Sequence, residues 1–282
     1  MKILGNIGHN LICSDTAEMK LLYINQKGDI TREVCGIVGT FDFWCLPDGK
    51  ILYAHNSGLD TAGVTILDSN GEPAMNYLTG KELFSCQPIE NGNILLGLLG
   101  DPELLEIDCN GNKIRQIKIP YEGVSHEGMR IARKIGDNYF VVQPGINKIR
   151  KISLSGEIVK EFDIHHDAFG LIVLSNGNIV YSCMSGAYEL DENGKEIWSL
   201  TNDDIPQINI RWLLGMQMLS NGNLVFANWM GHGHLDEGIH LFEVNRKKEV
   251  VWSLDGRGTM KMPATFQILD EDPAKICYTP TK

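Results

Sequence analysis

The feature that most restricts this chain is a turn that keeps returning. Short apolar runs are broken at Pro47-Asp48-Gly49-Lys50, Glu90-Asn91-Gly92-Asn93, Gly136-Asp137-Asn138, Ser175-Asn176-Gly177-Asn178 and Ser220-Asn221-Gly222-Asn223. Asn-Gly and Asp-Gly accept positive φ at low cost, so between β-prone runs they mark tight hairpins. A second series alternates with the first: Lys27-Gly28, Asn70-Gly71, Asn110-Gly111, Ser155-Gly156, Asn193-Gly194 and, without glycine, Arg246-Lys247. The clearest copy runs from His165 to Leu200. Its apolar runs 170–174, 179–183, 187–190 and a last one ending at Trp198 read as a four-stranded antiparallel meander, a-b-c-d. Glycines 49, 92, 177 and 222 of the first series stand 43, 85 and 45 residues apart, the middle interval holding the Gly136 copy. A period of about 40–45 residues with four short strands per repeat is the pattern of a β-propeller.

Five modules are complete, at roughly 36–78, 83–119, 126–164, 166–200 and 212–254. The head, 1–34, supplies strands b, c and d; the tail, 260–282, carries the β-prone Thr265–Leu269 as the missing strand a. The expectation is therefore one all-β domain: a six-bladed propeller of four-stranded antiparallel blades, closed by pairing of N- and C-terminal strands. The competing arrangement makes 1–4 strand a and leaves the tail as an appendage.

Composition narrows the function. A net charge of −11 argues against a nucleic-acid partner, which needs clustered cations; Lys148–Lys151 and Arg246–Lys248 are short enough to be solvated turns or edge guards. The seven cysteines are irregularly spaced without a C-x-x-C and fall mostly in apolar runs, so they read as buried free thiols. No apolar run reaches membrane-spanning length, and the first residues lack the pattern of a signal peptide, so a cytoplasmic protein with no membrane partner is expected. There is no G-x-S-x-G elbow, P-loop or dinucleotide fingerprint, so no nucleotide cofactor is expected.

The cadence L-x-N-G-N-I-V…L-D-x-N-G-K-E-I-W at 174–198, with weaker copies at 46–77, 89–114 and 219–252, resembles the repeats of quinoprotein-type propellers. Preceded by His165-His166-Asp167, it resembles the arylsulfotransferase-type branch. Gly215–Phe226 and Asn228–His232 are similar to uncharacterised bacterial propeller proteins. The second resemblance implies sulfuryl transfer with His166 as nucleophile.

In such blades the d-to-a links and b–c loops emerge on one face, around the axis, and the other turns on the opposite face. His126, His165 and His166 fall in links, His55 after a strand b, and His232 and His234 in a long b–c loop; only His9 and His240 fall elsewhere. His126, His166, Arg211 and Glu82, near the starts of strands a, are the candidates for a shared axial site. The expected activity is lyase, epimerase or hydrolase chemistry on a small molecule, foremost a carbohydrate or glycoside. His126 or His166 would be acid and base, because imidazole titrates near neutral pH. Arg211 and Arg130 would hold an anionic group, Gln143, Asn56 and Asn228 would bind hydroxyls, and Trp229 would stack on a ring. His55, His232 and His234 are the candidates for a divalent metal, although H-x-H on a glycine loop lacks fixed geometry. The turn aspartates Asp48, Asp68, Asp108 and Asp191, and the strand-d tryptophans Trp198 and Trp252, read as structural. A non-catalytic binding scaffold is the third reading.

Overall fold

The computed structural model describes residues 1–56, 58–231, 233–235 and 237–271. Its strands form six antiparallel sheets, four of them plain meanders in chain order, and these are the blades of a six-bladed propeller. The complete blades occupy 43–78, 83–118, 132–163, 171–201 and 213–255, called the first to the fifth below. The sixth is closed by both chain ends: Pro263–Ile268 pairs with Leu11–Asp15 in the register Leu11↔Ile268 and Cys13↔Phe266, followed by Lys20–Ile24 and Ile30–Cys35. The expected inner strand from the tail is thus present. The competing placement of the first residues fails. Lys2–Leu4 lies outside Val250–Asp255, with Lys2 opposite Asp255, as a fifth and outermost strand of the fifth blade. There it covers amide and carbonyl groups that an edge strand would leave open. A left-handed Gly5 (φ 79°) lets the chain leave that edge; a Cβ here would stand 2.4 Å from the Val251 carbonyl oxygen.

The chain divides into two compact units. One holds residues 1–38 and the described residues from 170 to 271, with the fourth, fifth and closing blades; the other holds 39–169, with the first three. Each core lies between facing blades. In the first unit Phe226, Phe242 and Leu213 pack on Ile172, Val180 and Leu200. In the second, Tyr139, Val141 and Ile152 pack on Leu95, Leu104 and Ile117.

The turn chemistry read from the sequence explains the repetition. At the a–b turns, Leu46, Ile89, Leu174 and Leu219 donate their amides to Lys50, Asn93, Asn178 and Asn223 at 2.8 Å, around left-handed Gly49, Gly92, Gly177 and Gly222. At the c–d turns one oxygen clamps the loop. Asn25, Asp68, Asp108, Asp191 and Asn245 each accept two backbone amides, two and four residues on, and Ser153 accepts the second of these. These are Asx-type turns in which the side chain replaces a backbone acceptor.

Trp252 is buried with its indole N–H on Glu243, and Trp198 donates to the Arg246 carbonyl at 3.1 Å beneath the Arg246 guanidinium, so both are packing residues. The six described cysteines are free thiols; Cys13, Cys86 and Cys183 are buried and Cys45 is half-buried, but Cys35 and Cys109 are exposed. The expectation of burial fails at those two, where the strand end and turn face outward. Cys277 lies outside the described residues. Among the described residues no helix is long and apolar enough to cross a membrane.

Candidate functional site

The site builds from the residues that open each strand a. Phe41, Phe84 and Phe169 occupy the same offset before the a–b turn residues Leu46, Ile89 and Leu174, so the repeat delivers one phenyl ring from each of three links to a common cluster. The rings meet: Phe41 and Phe84 stand edge to face at 5.0 Å, and Phe169 lies 6.0 and 6.1 Å from them. Phe84 and Phe169 are buried and Phe41 is half-buried. The third blade contributes cations instead. The Arg130 guanidinium lies over the Phe84 ring at 4.9 Å, and the exposed His126 imidazole meets the same ring edge-on at 5.1 Å.

The link carrying His126 and Arg130 is fixed from below. Gln143, fully buried, donates to the Gly128 carbonyl at 2.9 Å, and its amide oxygen accepts from Arg150 at 2.9 Å. Arg150 also donates to the Pro120 carbonyl and pairs with Glu161 at 2.7 Å. Gln143, expected to bind a hydroxyl, is therefore a positioning residue with both ends of its amide engaged. Arg150 was missed because the sequence shows only a basic run; Lys148 and Arg150 in fact cross-link strands c and d through Asp163 and Glu161.

Arg130 is 7 % exposed, and its Nε is buried without a hydrogen-bond partner among the described residues. Burial pulls its guanidinium down to about 10, against the opposing charges of Glu127 and Asp167. It remains a cation at neutral pH. Asp167, in a left-handed conformation (φ 56°), holds His166 Nδ1 at 2.6 Å. This contact orients the imidazole, whose side chain is 71 % exposed. Glu82 is half-buried in the link before Leu83, its carbonyl accepting the Leu99 amide at 2.7 Å. Near the first blade, Asn56 Oδ1 and His55 Nε2 are buried with no hydrogen-bond partner among the described residues, and burial lowers the His55 pKa.

Other expected site residues belong to the first unit and are spent differently. Arg211 pairs with Glu237, which also lies 3.0 Å from His234 Nδ1. Asn228 is fully buried with all its amide capacity used: Oδ1 accepts the Arg211 and Trp212 amides at 2.8 and 3.3 Å, and Nδ2 donates to Ile239 and Asn209 at 2.9 and 3.2 Å. It cannot also bind substrate hydroxyls, and its role is to shape the loop. Trp229 donates to Thr16 Oγ1 at 3.2 Å and packs edge-on against Trp212, which gives its ring a structural use. His232 lies outside the described residues. Among the described residues no three His, Cys, Asp or Glu side chains gather into a group able to hold a metal ion.

Fold and site together define a six-bladed β-propeller with an aromatic, cation-bearing cluster where its inner strands begin. No family model and no curated protein matches the sequence. Solved structures do. A protein of unknown function from Bacteroides caccae is 21% identical, with TM-score 0.80, covering 92% of this chain and 98% of its own. A streptogramin B lyase structure is 15% identical, with TM-score 0.61, covering 89% of this chain and 84% of its own. A catalytically inactive virginiamycin B lyase from Staphylococcus aureus, with quinupristin, is 15% identical, with TM-score 0.63 and coverage of 92% and 90%. At these identities the likeness establishes the fold.

Proposed function

We propose that the chain binds a small molecule at the Phe41–Phe84–Arg130–His126 cluster and acts on it by proton transfer, as a lyase. The observation that carries this reading is the meeting of an exposed imidazole and a buried guanidinium on one phenyl ring. Imidazole can both take and give a proton near neutral pH, and a fixed cation nearby stabilises negative charge that develops when a proton leaves carbon. Two similar structures are a streptogramin B lyase and a virginiamycin B lyase, which raises this class above epimerase or hydrolase by analogy of fold alone. Nothing among the residues selects a carbohydrate, since Asn228 and Gln143 are committed internally.

The test is a panel of quinupristin, uronic acids, simple glycosides and aryl sulfates, with conversion followed by liquid chromatography and mass spectrometry. Conversion of one compound, lowered about 10²–10⁴-fold in kcat by His126→Gln, is the expected result. Equal conversion by wild type and variant would remove His126 from the chemistry. One observation favours a second reading. Asp167 holds Nδ1 of His166, whose side chain is 71 % exposed, and a histidine nucleophile for sulfuryl transfer needs an oriented, accessible ring. A sulfo-histidine mass adduct after incubation with an aryl sulfate would support it.

A further inference from the structure

The placement of charge around Arg130 carries one step more. Other arginines meet a carboxylate: Arg133 on Asp42, Arg150 on Glu161, Arg211 on Glu237 and Arg246 on Glu189. Arg130 makes no such pair among the described residues, although it is 7 % exposed. Asp167, whose charge reaches it, is bonded to His166, and the Glu127 charge acts through space. A buried cation without a directly bonded counter-ion is costly, and an anion that reached its guanidinium would offset that cost. The ring beneath is apolar, and the half-buried Phe41 stands edge-on to it.

We propose that Arg130 is the seat for a single carboxylate on an apolar, ring-bearing ligand, with the guanidinium as its counter-ion and Phe41 against the ring. The seat rests on reading the His126 cluster as a ligand site, but not on turnover there. A carboxylate suits it because the planar guanidinium fork matches two carboxylate oxygens. Single charge suits it too. The chain as a whole carries −11, which repels polyanions, while one buried cation neutralises one charge. The link that bears Arg130 is held by Gln143 and Arg150, so the fork is pre-positioned and little ordering is lost on binding.

The experiment is titration calorimetry of the whole chain with benzoate and phenylacetate, with benzamide as the neutral isostere and inorganic sulfate as the tetrahedral anion. Benzoate or phenylacetate is expected to bind more tightly than both controls. Arg130→Met should weaken that binding about 10- to 100-fold, as loss of a charge-assisted bond predicts, and Arg130→Lys by less. Thermal unfolding guards against a folding artefact: ligand-free Arg130→Met is expected to be at least as stable as wild type, because an unpaired buried charge has been removed. Equal binding by wild type and Arg130→Met, tighter binding of sulfate or benzamide, or a large stability loss in ligand-free Arg130→Met would each overturn the seat. Those results leave His126 chemistry standing if a panel compound is still converted. Carboxylate binding lost in Arg130→Met, with no compound converted, would retain the seat and remove the lyase reading.

Discussion

Replacing Asp42 by alanine should destabilise the first three blades more than any exposed substitution. Its carboxylate accepts two bonds from Arg133, at 2.7 and 3.0 Å, and the Cys86 amide at 3.0 Å. These three residues come from the first, third and second blades, so one side chain ties three successive inner strands together. The side chains of Arg133 and Asp42 are 8% and 5% exposed, and the Arg133 guanidinium also lies 5.2 Å from the Trp44 ring centroid. Asp42→Ala leaves that guanidinium buried and unmatched, a loss of about 3–5 kcal/mol. For a chain of 282 residues, unfolding entropy scaled by length turns this into a fall in Tm of about 5–8 °C, for one cooperative transition. Replacing both partners by apolar side chains, Asp42→Leu with Arg133→Met, should recover most of the loss, because neither buried charge remains. Urea unfolding of the wild type, both single variants and the double variant measures the coupling. A coupling energy below about 0.5 kcal/mol would refute the reasoning, because distant independent sites add to within that margin.

Two further expectations are inexpensive to check. Under native conditions iodoacetamide should modify Cys35 and Cys109 well before Cys13, Cys86 and Cys45, as read by peptide mass spectrometry; burial raises the Cys13 and Cys86 thiols and pushes Cys45 up to about 12. Stability should fall on acidification through the turn aspartates. The Glu72 amide holds the Asp68 carboxyl low, the Asn112 side chain and amide hold Asp108, and the Lys195 amide holds Asp191. A depressed folded pKa contributes stability that is present above the unfolded value of about 3.9 and is lost as pH falls through the folded one. Tm should therefore drop below about pH 4, and Asp108→Asn should flatten the drop. An unchanged slope in that variant would show that the clamp at this turn does not carry the effect.

The blades were legible because their signals are local. A residue that permits positive φ, or an oxygen that caps its own turn, acts within a few positions, so Asn25, Asp108 and Gly177 mean the same in sequence and in space. The three phenylalanines had a readable signal as well, since Phe41, Phe84 and Phe169 precede their turns by the same offset. Face assignment was less informative about roles. Asn228, Gln143 and Trp229 were placed near the candidate site, but an amide binds a ligand only when its polar atoms are free, and an indole stacks only when its ring is not already packed. That depends on partners such as Ile239, Gly128 and Thr16, brought close by folding.

By itself, then, the sequence determined the repeat, the four strands of each blade and the use of the tail to complete the last one, because hairpin chemistry and apolar alternation are written residue by residue. Only the tertiary structure decided that Lys2–Leu4 would cap an outer edge, that Asp42 would find Arg133, and that Arg130 would be buried on Phe84 with no carboxylate ion pair among the described residues. Those outcomes depend on which charges meet when distant inner strands come together, and no spacing along the chain encodes that distance.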